Sequence, residues 1–475
     1  MRVPAPDRAT ADRSAVFSAM WGVAMLAHLW NQANGWDVVF GASAQGVAAL
    51  FALAATLFLL SRPASVERLV LVAAAQLLHV AAVAPFIADH WMLDALVNTA
   101  VLAAAARVWW RDRRLEAGAF FAAFAPAARV LFVVCYGAAA LAKFNDGFLD
   151  PQESCGRDLL GRSLQFFALS LPPWIPIALT LVTETAVAFF PLVPRLRTAG
   201  IRAGLFFHFF LSLTTAVNVV DFTTAVYALL FLFSPDETTE RLRAIGERLA
   251  ARVPWLRAPA LRRRGTRIAA LAVFVWVAGV VPALARRGVH GPALFVATEL
   301  FNVWCVLVVV LALLTLSARP GEPASSWSGT WSVSPAFAPS IALAVLVVAS
   351  PYVGGRNVGV FTMFSNLRTE GGVTNHFFLP RLAWLPWEDD LAEIESSDDP
   401  VLARLRVDGK AVNFLELKRR VQSEKGVSVV YVRGGRRVEH SPEHPDPALM
   451  SPIPFWERKL LLFRPIRLDR PVCWN

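Results

Sequence analysis

The stretch "FAAFAPAARVLFVVCYGAAALAKFNDGFLDP" runs from Phe121 to Pro151. Its first part, Phe121–Ala142, is long and apolar enough to cross the roughly 30 Å hydrocarbon core of a bilayer. The run ends on Lys143, with Asn145 and Asp146 directly behind it. Lys143 is the only lysine before Lys410, in a chain that otherwise uses arginine there. A lysine at the edge of an apolar helix can simply snorkel its ammonium to water. It can also do what arginine cannot: shed its proton when desolvated and act as a base near neutral pH.

The rest of the chain carries the same signal. Of its 475 residues 56% are hydrophobic and only 17% charged, against about 25% charged in soluble proteins. The excess lies in further runs: Ala15–Ala33, Ala44–Leu60, Leu69–Ala88, Trp91–Trp109, Trp174–Leu192, Ala203–Val220, Phe222–Phe233, Ile268–Ala285, Ala293–Leu316 and Ile341–Val353. The expected fold is an all-α polytopic membrane protein of about 10–11 transmembrane helices, with Phe222–Phe233 and Ile341–Val353 short enough to be re-entrant. The first run lacks a cleavage motif and reads as a span, not a removed signal peptide.

Charge orders these spans. Arg2, Arg8 and Arg13 precede the first, Arg62 and Arg68 follow the second, and Arg111, Arg113 and Arg114 follow the fourth. The turns at Asp37, Asp89 and Asp221 carry no Lys or Arg. A dense arginine run extends from Arg241 to Arg267. This alternation predicts a cytoplasmic N-terminus in the cell (inner) membrane and a chain break at Asp221. Continuing the count puts the C-terminus on the periplasmic or extracellular side. The net charge of +10 is therefore a topology signal. No basic helix is interleaved with aromatics, so no nucleic-acid partner is expected. The four cysteines form no C-x-x-C pair, which leaves no metal motif. Cys155 and Cys473 fall on the outer side, where they can form a disulfide.

From Gly354 the composition changes to a small α+β extramembrane unit. "FLELKRRVQSEKG" reads as an amphipathic helix closed by Gly426. "VSVVYVRGGRRVEH" alternates around Gly434–Gly435, a two-residue hairpin signal.

No P-loop, dinucleotide fingerprint, H-E-x-x-H or nucleophile elbow is present. The candidates are polar groups inside spans, where each charge costs at least about 2.5 kcal/mol. His28 and Lys143 lie toward the outer ends of their spans. His90, Asp94 and Asn98 share one helical face by their spacing. Glu184 lies roughly 15 Å into its span by helix rise, His208 near mid-depth, and Asp221 at an outer turn. These groups are expected to line one outward-opening cavity. A lone histidine such as His79 or His28 can equally be an interhelical hydrogen-bonder, and Glu299 reads as structural. In the tail, "MFSNLRTEGGVTNHFF" concentrates Arg368, Glu370, Asn375 and His376, read either as a polar structural turn or as a cap on the cavity's mouth.

"YGAAALAKFNDGF" resembles the segment of the vitamin K-dependent gamma-carboxylase family that carries its catalytic lysine. "ADHWMLDALVN", "LVTETAVAFFPL" and "LFFHFFLSLTTAVNVVDFTTAVYALLFLFSP" resemble, in order, its histidine segment and two later spans. Together they resemble the horizontally transferred transmembrane (HTTM) module over residues 1–235, shared with many bacterial proteins. Residues 236–353 would add an arginine-rich cytoplasmic loop and further spans, and 354–475 the tail. The resemblance implies Lys143 as general base, His90 beside a reduced, vitamin K-like quinone, and Glu184 and His208 at acidic and histidine positions of the later spans. His28, Asp94 and Asp221 would complete the substrate or quinone site. It implies carboxylase or epoxidase chemistry on a lipid-soluble or peptide substrate, although the tail shows no match to the family's peptide-recognition region. The alternative is a non-catalytic transporter or lipid- or quinone-binding membrane protein, with membrane lipids as its partners.

Overall fold

A computed structural model describes residues 8–31, 44–165, 171–213, 219–253, 291–316 and 331–473. The expected span Ile268–Ala285, the turn at Asp37 and most of the Arg241–Arg267 run's second half lie outside these residues.

The helical part begins with α1 (Arg8–Asn31), α2 (Ala44–Leu60), α3 (Val66–Val83), α4 (Asp89–Asp112) and α5 (Ala117–Leu141). After a single turn, α6 (Asp146–Leu149), come α7 (Cys155–Gln165), α8 (Trp174–Phe189), α9 (Arg197–Ser212), α10 (Val220–Phe231), α11 (Glu237–Arg252), α12 (Gly291–Thr315) and α13 (Ala338–Ala349). Among the described residues five helical stretches are long and apolar enough to cross a membrane: Val66–Val83, Asp89–Asp112, Ala117–Leu141, Trp174–Leu192 and Pro335–Val353. Shorter apolar helices cover Gln45–Leu60, Val220–Phe231 and Glu299–Thr315.

Helix α1 sits inside, against α2, α5 and α10. Its Phe17, Trp21, Ala24 and Met25 are fully buried, at the three- and four-residue spacing of one helix face. Helix α5 starts where the Glu116 carboxylate accepts the Gly118 and Ala119 N–H groups, replacing bonds its first turn cannot make internally. It continues through Pro126, an interruption that packed transmembrane helices tolerate.

The break expected at Asp221 is present: α10 begins at Val220 and has Asp221 in its first turn. All twelve of its residues except Phe222 are buried. A helix of that length rises only about 18 Å, so α10 is a core element rather than a full span. The last helix differs the other way. Flanking 3-10 turns lengthen it to Pro335–Val353, 19 residues, where a short span from Ile341 was expected. Phe337 is fully buried, so the packed face starts earlier than composition suggested. Gly354 ends the helix in the left-handed region, φ +80°, where glycine carries no Cβ penalty.

Two arginines depart from the sequence reading. Arg13, expected as a solvated topology charge, is 4% exposed. It donates to the Ser234 and Pro235 carbonyls at 3.1 and 2.9 Å and pairs with Asp236 at 3.3 Å. Arg129, inside α5 and overlooked in the sequence, is 3% exposed and donates to Leu232 O at 2.9 Å. Both satisfy carbonyls left open where α10 ends.

The tail folds as a five-stranded antiparallel sheet of order β4-β3-β1-β2-β5. Its strands are β1 (Leu391–Ser397), β2 (Lys410–Asn413), β3 (Val429–Arg433), β4 (Arg436–His440) and β5 (Ile466–Arg467). The hairpin falls at Gly434–Gly435, both with positive φ, as a type I′ turn needs. The amphipathic helix is α15 (Phe414–Ser423), following α14 (Pro400–Val407). It is capped by the Asn413 side chain and ends before Gly426. Leu417 and Val421 on α15 bury against Tyr431 and Ala392 of the sheet.

Candidate functional site

Helices α3 and α4 meet at one end of the bundle, and α5 ends there too; the arginine-bearing turns Arg62–Arg68 and Arg113–Arg114 sit at the other. The candidate site lies at the first of these ends. Lys143 is 3% exposed and does not snorkel outward. Its side chain folds back along α5, with Nζ 3.3 Å from Ala139 O and 2.7 Å from Glu184 Oε2 on α8. Burial of both partners makes this pair strong or costly according to its geometry.

Beside it, the Tyr136 hydroxyl and His208 Nε2 are 2.9 Å apart. Lys143, Glu184, Tyr136 and His208 line one small cleft. Its other walls are apolar, with Phe222, Leu211 and Val219 on one side and Phe361, Met363 and Phe364 from the tail on the other. Asp89 reaches the same cleft and accepts the Met363 N–H at 2.7 Å.

The remaining sequence candidates form a second cluster off the cleft wall. His28 Nδ1 lies 3.0 Å from Asp94 Oδ2. His90 Nε2 is 2.8 Å from Asp221 Oδ2, close as an ion pair but not aligned as a hydrogen bond. Trp91 Nε1 donates to the same Asp221 oxygen at 3.4 Å, and Trp21 Nε1 donates to Asn98 Oδ1 at 2.9 Å. The face shared by His90, Asp94 and Asn98 thus serves two neighbours: α10 takes His90, and α1 takes the other two. His79 stands edge-on to His28, ring centroids 6.2 Å apart. The ring of Phe222 separates the clusters, with centroids 6.1 Å from His90 and 5.1 Å from His208. The expected single cavity is therefore one cleft and one polar cluster, joined through an aromatic ring.

The tail stretch Met363–Phe378 does lie over the bundle end, but its apolar residues do the lining. Asn375 Nδ2 donates to Asn145 Oδ1 at 3.1 Å, and His376 Nε2 is 2.9 Å from Leu141 O; both grip the turn carrying Lys143. Arg368 and Glu370 face away from the cleft. Glu370 pairs with Arg464 at 2.9 Å and accepts from Asn357 at 2.7 Å. Behind Glu370, burial and its negative charge push the Glu388 carboxyl up to about 9, while the Thr369 hydroxyl donates to Glu388 Oε1 at 2.7 Å. These two residues anchor the tail rather than touch the site.

Sequence reasoning passed over three contributors. Asn145 is fully buried. It donates to Ala142 O and Ser365 O, both at 2.7 Å, and accepts from Phe148 N and the Asn375 amide. Its placement two residues after Lys143 was the available signal. Phe361 and Phe364 adopt positive φ, 65° and 53°, a conformation costly for bulky residues and concentrated at functional sites; nothing in their residue types announces it. Finally, Cys155 and Cys473 form the expected disulfide, tying the chain's end to α7.

Comparison of the chain with protein-family models, with curated proteins and with solved structures finds no match.

Proposed function

We propose that the chain is a multi-pass membrane protein with an acid–base centre at Lys143 and Glu184, acting on a lipid-soluble quinol in the manner of the carboxylase-like group. The observation that carries this reading is the inward fold of Lys143 into an apolar cleft, 2.7 Å from Glu184. A lysine kept only for interfacial anchoring would point the other way. Helices α1, α2, α9 and α12 would add to the five long spans and bring the number near that expected.

The residues fit a flat apolar ring bearing hydroxyls. Phe222 and Phe364 offer aromatic walls, and the Lys143–Glu184 and Tyr136–His208 pairs offer polar contacts along one side. Such a group, when bound, supplies reducing equivalents and an acidic hydroxyl. The resting ammonium–carboxylate pair would first release one proton at the cleft's mouth; the neutral Lys143 Nζ would then take the hydroxyl proton, and Glu184 Oε2 would steady the ammonium that re-forms. Tyr136, oriented by His208, fixes the ring's position. His90, held by Asp221, is one aromatic ring away and serves as a second proton holder. Carboxylation or epoxidation would follow from the HTTM resemblance of these segments.

The test supplies purified protein with a reduced quinone, molecular oxygen as the oxidant and labelled bicarbonate. Lys143→Ala and Lys143→Arg should both abolish quinone oxidation and label incorporation; full activity in either variant overturns the reading. The two His–Asp pairs lying off the cleft favour a second reading, a proton relay in a transporter. That reading expects proton flux in liposomes that needs no oxygen and is lost in Asp94→Asn and Asp221→Asn.

A further inference from the structure

Large apolar side chains stand exposed on the tail, away from both its own core and the cleft. Trp384 is 74% exposed, Phe455 68%, Phe378 66% and Leu460 60%. Leu382 and Phe377 are 46% and 44% exposed. An extramembrane domain in water would have reason to hide such a set.

Their anchorage fixes their level. The Phe377 N–H donates to Phe144 O, just past the end of α5, at 3.0 Å. Leu382 and Leu385 donate to Tyr352 and Val353, at the end of the last apolar helix, both at 2.8 Å. On α16 (Phe455–Leu460), Lys459 Nζ lies 3.2 Å from Ala81 O and Ala84 O, where α3 ends. Trp387 packs against Trp456, centroids 5.2 Å apart, and so joins the two segments. The exposed residues are thus tied to the ends of three different helices at one end of the bundle. Helices that cross a bilayer end at its interface, so side chains fixed to those ends stand at interfacial depth.

We propose that the segments Phe377–Leu385 and Phe455–Leu460 lie in the interfacial layer of the bilayer, so that the tail is seated in the headgroup region rather than standing clear of it. The occupant is lipid. Aromatic rings with one wet edge are the side chains that layer favours, and the exposed cation Arg458 on the same helix suits the headgroup level. This rests on the membrane reading of the helices and is independent of any chemistry at Lys143.

The test uses the full chain in lipid nanodiscs. Single cysteines at Trp384→Cys and Phe455→Cys carry an environment-sensitive fluorophore; Cys135 and Cys305 are buried, and the parent protein serves as the labelling blank. Leu346→Cys, on the last apolar helix and 68% exposed, and Val407→Cys, on the sheet unit and 77% exposed, are the references. Nitroxides are placed at the lipid headgroup or deep in the acyl chain, and iodide is added in water. Trp384 and Phe455 labels should lose most emission to the headgroup nitroxide and little to the deep one. Quenching of either by iodide alone, as expected at Val407, overturns the proposal. So does protection from all three quenchers, which would mean a protein covers the patch. If the Leu346 label also escapes the deep nitroxide, the membrane reading itself fails, a result distinct from the first two.

Discussion

Breaking the Lys143–Glu184 pair from one side should cost far more than removing it whole. At 2.7 Å and an effective dielectric near 20, the Coulomb attraction is about 6 kcal/mol. Taking each ion out of water costs several kcal/mol, so the pair's net contribution is small. Lys143→Met alone strands the Glu184 carboxylate, which is 9% exposed at its side chain, and Glu184→Leu alone strands the ammonium. Each single variant should lose about 3–5 kcal/mol of stability. The double variant, which replaces both with apolar chains of similar volume, should return to within about 1–2 kcal/mol of wild type or exceed it. Reversible unfolding in mixed micelles, read for all four proteins, gives the coupling energy directly. Single losses below about 1 kcal/mol that simply add in the double variant would refute the dry, inward pair. They would mean that Lys143 reaches water after all.

Other outcomes follow from the tail. The Glu388 carboxyl is pushed up to about 9 by burial and by Glu370, so the folded state holds a proton that the unfolded chain releases at its ordinary, lower value. This group's stabilising contribution is full below that ordinary value and is lost as pH rises toward about 9. Glu388→Gln should therefore gain on wild type steadily between about pH 5 and 9 in thermal melts; a flat difference would rule this out. Gly354→Ala should lower the melting temperature markedly, because its φ is +80° and an added Cβ would press into the Leu385 carbonyl oxygen; an unchanged melt would count against the join between the last helix and the tail. Non-reducing peptide mapping should recover Cys155 linked to Cys473, and Cys473→Ser should cost about 2–5 kcal/mol. A free thiol at either position in native protein would contradict the link.

Much of the helical layout was legible because its signals are local. Span length, the bare turn at Asp89 and the charge at Asp221 each act over a few residues and fixed most boundaries. The Gly434–Gly435 turn was legible for the same reason, since two positive φ angles leave few residue choices. The pairing of the site was not. Glu184 and Lys143 meet because α8 packs on α5, a contact between segments that neither periodicity nor charge specifies. The face of His90, Asp94 and Asn98 was read correctly from its spacing, yet spacing could not divide it between α1 and α10. Arg13 misled for a related reason: a cation near a helix start looks like a topology charge until the open carbonyls after α10 are placed beside it. The cleft wall was least legible, because nothing in the residue type announces the positive φ of Phe361 and Phe364.

Asn145 has a consequence for how the molecule is divided. Its amide uses both hydrogens on carbonyls from two segments, Ala142 and Ser365, and its oxygen takes Phe148 and Asn375. Residues more than two hundred positions downstream therefore set the backbone from which Lys143 springs. A helical bundle expressed without the tail would retain the lysine but lose the jig that aims it, along with one wall of the cleft. Changes made only in the tail would then re-aim a side chain they do not touch.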